Sequence, residues 1–247
     1  MSPETEGTVD TGWEGAVNKY FPFLAEIRKR LLLIIFSFLA FTLLGFAFYE
    51  RIVTFGLKIF RLEGVNFAFT SPFQFINLAV SSGLAVGIIA SLPLAIFQVL
   101  FFLRPALSKR EYRFIMTLIP LAILFFVVGF FYGVGVMKYV LKLFYQNALR
   151  LNLTNLLDVS SLLSQIIMTS SLMGMAFEFP IILTVLMKLN AVSHHALSSR
   201  RSVVYLVLLV FAILLPPTDL LSLALLTLPL LLLFELTLIL NRVFLKR

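Results

Sequence analysis

Residues Ile166–Met187 read IIMTSSLMGMAFEFPIILTVLM, an apolar run long enough to cross a bilayer with one carboxylate, Glu178, near its middle. An ionisable group at that depth costs a few kcal/mol or more, so chains keep one for a partner, a pathway or a water-filled recess. Pro180 follows two residues later. It has no backbone N–H and frees a carbonyl one turn earlier, softening the helix at the same level.

The rest of the chain repeats the pattern. Of its 247 residues 60% are hydrophobic, and the mean hydropathy is +1.02. Those values exclude an ordinary soluble domain and indicate an all-α integral membrane protein. There is room for about six spans in one bundle. The expected layout is a single transmembrane domain over 1–247, with a polar tail at 1–22. Its spans are expected near 31–49, 73–103, 114–137, 164–187, 203–215 and 220–240. The segment Phe23–Leu32 carries apolar residues on one helical face and reads as an interfacial helix leading into the first span. Thr70-Ser71-Pro72 is a helix-start signal. Residues 138–161 read as the longest connector, and Asn190 as a left-handed helix cap. The last two helices are expected to be short, the fifth with only 13 apolar residues, around the turn Pro216-Pro217-Thr218-Asp219. Such a pair implies local bilayer thinning or a cavity on that side, within a concave bundle.

A net charge of +8 would point to nucleic acid in a soluble protein; here the basic residues lie at the ends of apolar runs. Fourteen Lys and Arg fall on the side of the two termini and six on the opposite connectors. The positive-inside rule then places both termini in the cytoplasm. No cleavable signal peptide is apparent, because the first 20 residues are polar and acidic. With no cysteine, thiolate catalysis, disulfides and cysteine metal sites are excluded.

No catalytic constellation, cofactor motif or metal motif emerges. His194 and His195 are adjacent, so on a helix they point about 100° apart, and they read as exposed loop residues. The glycines fit helix packing or kinks better than a phosphate cradle. Four acidic residues are unusually placed: Glu26 and Glu111 among basic residues at the interface, Glu178 in mid-membrane, and Glu235 in the last span. The structural alternative for Glu26 is an i,i+4 pair with Arg30, worth a few tenths of a kcal/mol. Glu111 has Lys109, Arg110 and Arg113 to screen it.

Taken in order, these segments resemble the TatC family, the polytopic core of the twin-arginine protein translocase. FLAEIRKRL (Phe23–Leu31) is similar to the family's HLxELRxRL signature, and Ser71-Pro72-Phe73 to the serine-proline opening its second helix. LPLAIFQVLFFLRPALSKRE (Leu92–Glu111) resembles sPvilyQvwxFixPaLyxxE, with Pro93, Gln98, Phe102, Pro105, Leu107 and Glu111 in place. GMAFEFP (Gly174–Pro180) and LPPTDLLSLALLTLPLLLLFE (Leu215–Glu235) match the family's fourth helix and ending. The chain departs from the pattern at Phe23, Arg104, Asn190 and Leu223. It also departs in the 188–201 loop, which has His194-His195 and no acidic residue.

The resemblance implies a protein that is not an enzyme and needs no cofactor. It would bind twin-arginine signal peptides of folded proteins and recruit single-span partners of the TatA and TatB kind, with the proton-motive force driving export. It also implies self-association, membrane lipids and no nucleic acid as company, in the cytoplasmic (inner) membrane. Carried over, Glu26 and Glu111 are the recognition carboxylates, with Arg28 and Phe102 in the same patch. Glu178, Gln98 and Glu235 are intramembrane polar contacts, and Pro217 and Asp219 form the outer turn. A planar guanidinium pairs with carboxylate through two parallel hydrogen bonds, which lysine cannot copy. The rival reading is a small-molecule or ion secondary transporter using Glu178, although the two halves show no convincing repeat. A membrane enzyme acting on lipid-linked substrates lacks the necessary cluster of residues.

Overall fold

The computed structural model describes residues 12–59, 66–68, 73–103, 107–150, 156–217 and 219–244. The helix-start signal at Thr70-Ser71-Pro72 and the Arg104-Pro105 step lie outside them. In chain order the elements are α1 (Gly12–Ala47), α2 (Tyr49–Ile59), β1 (Asn66–Ala68), α3 (Gln74–Leu103), α4 (Lys109–Arg150) and β2 (Leu156–Asp158). They continue with α5 (Val159–Ala176), α6 (Phe179–Lys188), α7 (His194–Ser199), α8 (Arg201–Ile213) and α9 (Leu220–Phe244). Among the described residues five helical stretches are long and apolar enough to cross a membrane, the fourth being α5 and α6 together; α8 is apolar but has 13 residues.

Several expectations change in three dimensions. The fold is helical as expected, with one short addition: β1 and β2 pair in parallel with Phe67 opposite Leu157. They meet because α3 and α5 start side by side: the Ser160 hydroxyl donates to the Gln74 carbonyl at 2.6 Å. The interfacial segment at 23–32 and the first span form one helix, α1, with no break between them. The connector after it contains α2, whose Val53 packs inward while Phe55 faces out.

The helix that carries the third apolar run does not stop at residue 137. α4 runs for 42 residues to Arg150, about 63 Å, because no Pro or Gly interrupts it after Gly135. The fourth apolar run is interrupted at Phe177-Glu178, two residues before Pro180, which offers no donor to the preceding turn. Glu178 N–H turns to the Met175 carbonyl at 3.1 Å, a tighter bond than an α-helix makes. The last two helices are not both short: α9 has 25 residues, since the apolar run continues to Leu240 and Arg242 sits favourably in its final turn. Asn190 has φ 56°, and Ala191 N–H reaches the Leu186 carbonyl at 3.0 Å, which closes α6 with the expected left-handed cap.

Close helix contacts are made through small residues. A Cβ on Gly83 of α3 would lie 2.7 Å from the Thr42 carbonyl oxygen of α1. One on Gly133 of α4 would lie 2.7 Å from the Ser170 Cα of α5. Beside these contacts Leu78, Met137, Leu163 and Ile166 form one buried cluster. A larger cluster around Met173, Leu226 and Phe234 joins α4, α5, α8 and α9. Outward-facing Phe36, Leu43 and Phe131 leave an apolar surface of the kind lipid covers.

Gly133→Leu is expected to lower stability by about 1–3 kcal/mol through overpacking. Gly135→Leu, two residues away with nothing within 4 Å of its Cβ, is expected to change it far less. Melting temperatures of the two variants in detergent test the contrast.

Candidate functional site

α1 ascends from Glu26 and α3 descends to Leu103, so the start of α1's apolar run, the end of α3 and the start of α4 share one end of the molecule. Arg30 ties the first two together. Its Nε and Nη2 donate to Glu26 Oε1 at 3.1 and 2.5 Å, and its Nη1 donates to the Gln98 side-chain oxygen at 3.2 Å. The i,i+4 pair read from sequence is therefore present, and it extends across to α3. Gln98 belongs with Glu26, on a different part of the molecule from Glu178 and Glu235. Both Arg30 donors fall on Oε1, and Glu26 Oε2 accepts no bond from the described residues. Arg28 is exposed beside it. Phe102 lies in the last turn of α3, with its side chain outside the described part.

Glu111 is held by Ser108. The Ser108 N–H and hydroxyl donate to Glu111 Oε2 at 2.9 and 2.8 Å, while Glu111 N–H donates back to Ser108 Oγ at 3.3 Å. This reciprocal capping box opens α4. Its signal in the sequence is Ser-x-x-Glu ahead of an apolar run, embedded among Lys109, Arg110 and Arg113. The carboxylate is thus positioned by its own helix end, and its negative charge complements the helix dipole.

Glu178 occupies the break between α5 and α6 and is 5% exposed. Its side chain makes no capping bond, and its Oε1 is buried with no hydrogen-bond partner. The flanking rings are anchored: Phe177 lies 5.8 Å from Tyr132, and Phe179 lies 6.2 Å from Phe234. Tyr132 donates to the Leu225 carbonyl at 2.7 Å, which ties α4 to α9 at this level. Glu178 lines neither of two cavities of about 510 Å³ that flank α9.

One of those cavities is a shallow groove along α9 that includes Leu209, Thr227, Leu231 and Glu235. Glu235 is already occupied within the chain. Tyr205 donates to its Oε1 at 2.5 Å, and Arg201 pairs with its Oε2 at 3.2 Å. Both partners lie on α8, one turn apart, so this carboxylate joins α8 to α9. Nothing in the sequence alone connects residues 201 and 205 to residue 235.

At the other end Asp219 caps α9, accepting from the Ser222 N–H and hydroxyl at 2.9 and 2.5 Å. Pro217 follows a cis peptide bond after Pro216, whose carbonyl accepts a hydrogen bond from Thr169 of α5. His195 is exposed as read, whereas His194 is half-buried with Nε2 3.2 Å from the Leu238 carbonyl. Among the described residues no three His, Asp or Glu side chains gather as a metal site.

Ser108→Ala is expected to cost about 1 kcal/mol of local stability. The check is faster hydrogen exchange in the first turn of α4, which Ser108→Thr should largely restore.

Comparison with known proteins agrees with this fold. The family described as "Sec-independent protein translocase protein (TatC)" matches residues 22–229. TatCy of Bacillus subtilis is 27% identical over 224 residues, covering 89% of this chain and 87% of the relative. TatC of Aquifex aeolicus is 29% identical over 228 residues, covering 89% of this chain and 92% of the relative. A crystal structure described as "Twin Arginine Translocase Receptor- TatC" superposes with a TM-score of 0.77 at 28% identity, covering 91% of this chain and all of that one. With the family matched across most of its length and the fold shared, this chain belongs to the TatC family of Sec-independent protein translocase proteins.

Proposed function

We propose that the chain is the signal-peptide-binding core of a twin-arginine translocase, and that Glu26 and Glu111 receive the two arginines. The observation that carries this reading is the half-used Glu26 carboxylate. Arg30 occupies Oε1, and Oε2 takes no bond from the described residues. An incoming guanidinium has a charged acceptor at Oε2, and it gains the full two-oxygen fork by displacing Arg30 from Oε1. Glu111, fixed by the Ser108 box at the same end, is the second acceptor. Arg28 and Phe102 are assigned to the same patch from the family resemblance. The surrounding cations disfavour indiscriminate binding of basic segments and leave the geometry of the fork as the selective feature.

Glu178 is proposed as the contact for a polar residue on a TatA- or TatB-type partner's span. Its orphaned Oε1 favours this reading, because an unsatisfied buried oxygen gains most from a partner. Gln98 and Glu235, both bonded within the chain, then hold helices together, and Pro217 and Asp219 shape the outer turn.

Purified protein should bind a twin-arginine signal peptide at least about tenfold more weakly in Glu26→Gln and Glu111→Gln, from the loss of a charge-assisted pair. A lysine-lysine peptide should bind no better to the wild type than to these variants. Undiminished arginine-peptide binding in both variants refutes the assignment. In the same preparations Glu178→Ala should keep peptide binding and lose partner co-purification; intact co-purification refutes its role.

The proposed layout is one transmembrane domain of six spans, with α8 as the short fifth, in the cytoplasmic membrane with both termini on the cytoplasmic side. The basic bias of the terminal side is its basis. Because the chain has no cysteine, single cysteines placed in the N-terminal tail and in the 188–201 loop report topology cleanly. Both should react with an impermeant thiol reagent only from the cytoplasmic side, and labelling from opposite sides refutes the layout.

A further inference from the structure

The second of the two cavities, about 510 Å³, opens between α4, α6 and α9 and belongs to none of the features above. Its composition is graded. At one end Arg110, in the first turn of α4, and Lys188, at the last residue of α6, contribute cations. Deeper in, Leu121, Ile181 and Leu236 make an apolar wall. No Asp or Glu is among its lining residues. The lining runs about 12 Å along α6 (Lys188 to Pro180) and α9 (Asn241 to Leu233) and about 22 Å along α4 (Arg110 to Phe125), which brackets half of a ~30 Å hydrocarbon core, or one leaflet.

The cations are available. Among the described residues neither Arg110 nor Lys188 has an ion-pair partner; the Lys188 ammonium rests 5.2 Å from the centre of the Phe114 ring. The polar lining residue Asn241 is already engaged, donating to Thr184 Oγ1 at 3.0 Å and to the Thr237 carbonyl at 2.9 Å. The unmet demand of the cavity is therefore an anion at its rim and hydrocarbon along its wall.

We propose that this groove is a binding site for one anionic phospholipid. The headgroup phosphate is held between Arg110 and Lys188, and an acyl chain lies along Leu121, Ile181 and Leu236. A basic recess between spanning helices that runs one leaflet deep matches that amphiphile in both charge and length. A soluble anion would leave the apolar wall uncovered, and a basic peptide would face two like charges. The bound lipid would join α4, α6 and α9 at the end of the molecule where Glu111 begins α4.

The test uses the full chain purified in detergent, with phosphatidylglycerol and phosphatidylcholine of identical acyl chains and with glycerol phosphate as the soluble headgroup. Native mass spectrometry gives the apparent affinities. Phosphatidylglycerol should bind more tightly than phosphatidylcholine. The double variant Arg110→Gln/Lys188→Gln should weaken phosphatidylglycerol on the order of 25-fold, the attraction expected of two cations for an anionic lipid. Leu236→Trp, which fills the wall and leaves both charges, should also lose the lipid. Arg51→Gln/Lys58→Gln, removing two cations elsewhere, should not. Equal binding of the two lipids, wild-type affinity in the double variant, or retention in Leu236→Trp overturns the site. Competition by glycerol phosphate as strong as by the lipid also overturns it, since the groove would then hold only an ion.

Discussion

The contact on which the bundle depends is the approach of α4 to α5, where Gly133 lies against the backbone of Ser170. Spanning helices gain little by hiding leucine from lipid that is equally apolar, so they associate where small residues let backbones touch. α5 supplies such a surface, with Ser164, Ser170, Ser171 and Gly174 all buried. α3 packs on the same helix, and α1 in turn packs on α3 through Gly45 and Gly83. Once α5 is central, the starts of α3 and α5 become neighbours, and the parallel β1–β2 ladder follows from that juxtaposition.

The same packing sorts the polar groups into different tasks. Arg30 spans from Glu26 to Gln98 and so fastens α1 to α3 at the charged end. Glu235, with Arg201 and Tyr205, fastens α8 to α9. Asp219 and Thr169 secure the turn between α8 and α9. Glu178 differs from all of these because the chain leaves its Oε1 without a hydrogen bond. Glu235 is satisfied by α8, whereas Glu178 Oε1 is left unsatisfied, and that contrast is the basis on which a role outside the single chain is proposed for it.

The charged end holds two neighbouring but chemically opposite features. Glu111 accepts from Ser108, while Arg110, the preceding residue, points its charge into the groove between α4, α6 and α9. Successive positions on a helix face about 100° apart, so adjacent residues can serve separate surfaces. One short segment, Ser108–Glu111, can therefore present a carboxylate to a cationic ligand and a cation to an anionic one.

By itself the sequence determined the membrane class, the order of apolar runs, the family resemblance and the unusual status of Glu178. Each of these depends on composition, local periodicity or the identity of a residue within a run. Asn190 was legible as a helix cap for the same reason: the left-handed position is a local property of a few consecutive residues. The Ser108–Glu111 box is equally local, a Ser-x-x-Glu spacing within four consecutive residues. Only the tertiary structure decided that Gln98 serves Arg30, that Glu235 is held by α8, and that Glu178 stands buried at a break between two helices. It also decided that α4 runs on to Arg150, where a connector was expected because lysines interrupt the hydropathy. Hydropathy reports the cost of entering lipid, whereas helix continuity follows from backbone bonding, and side-chain partnerships from which helices small residues allow to touch.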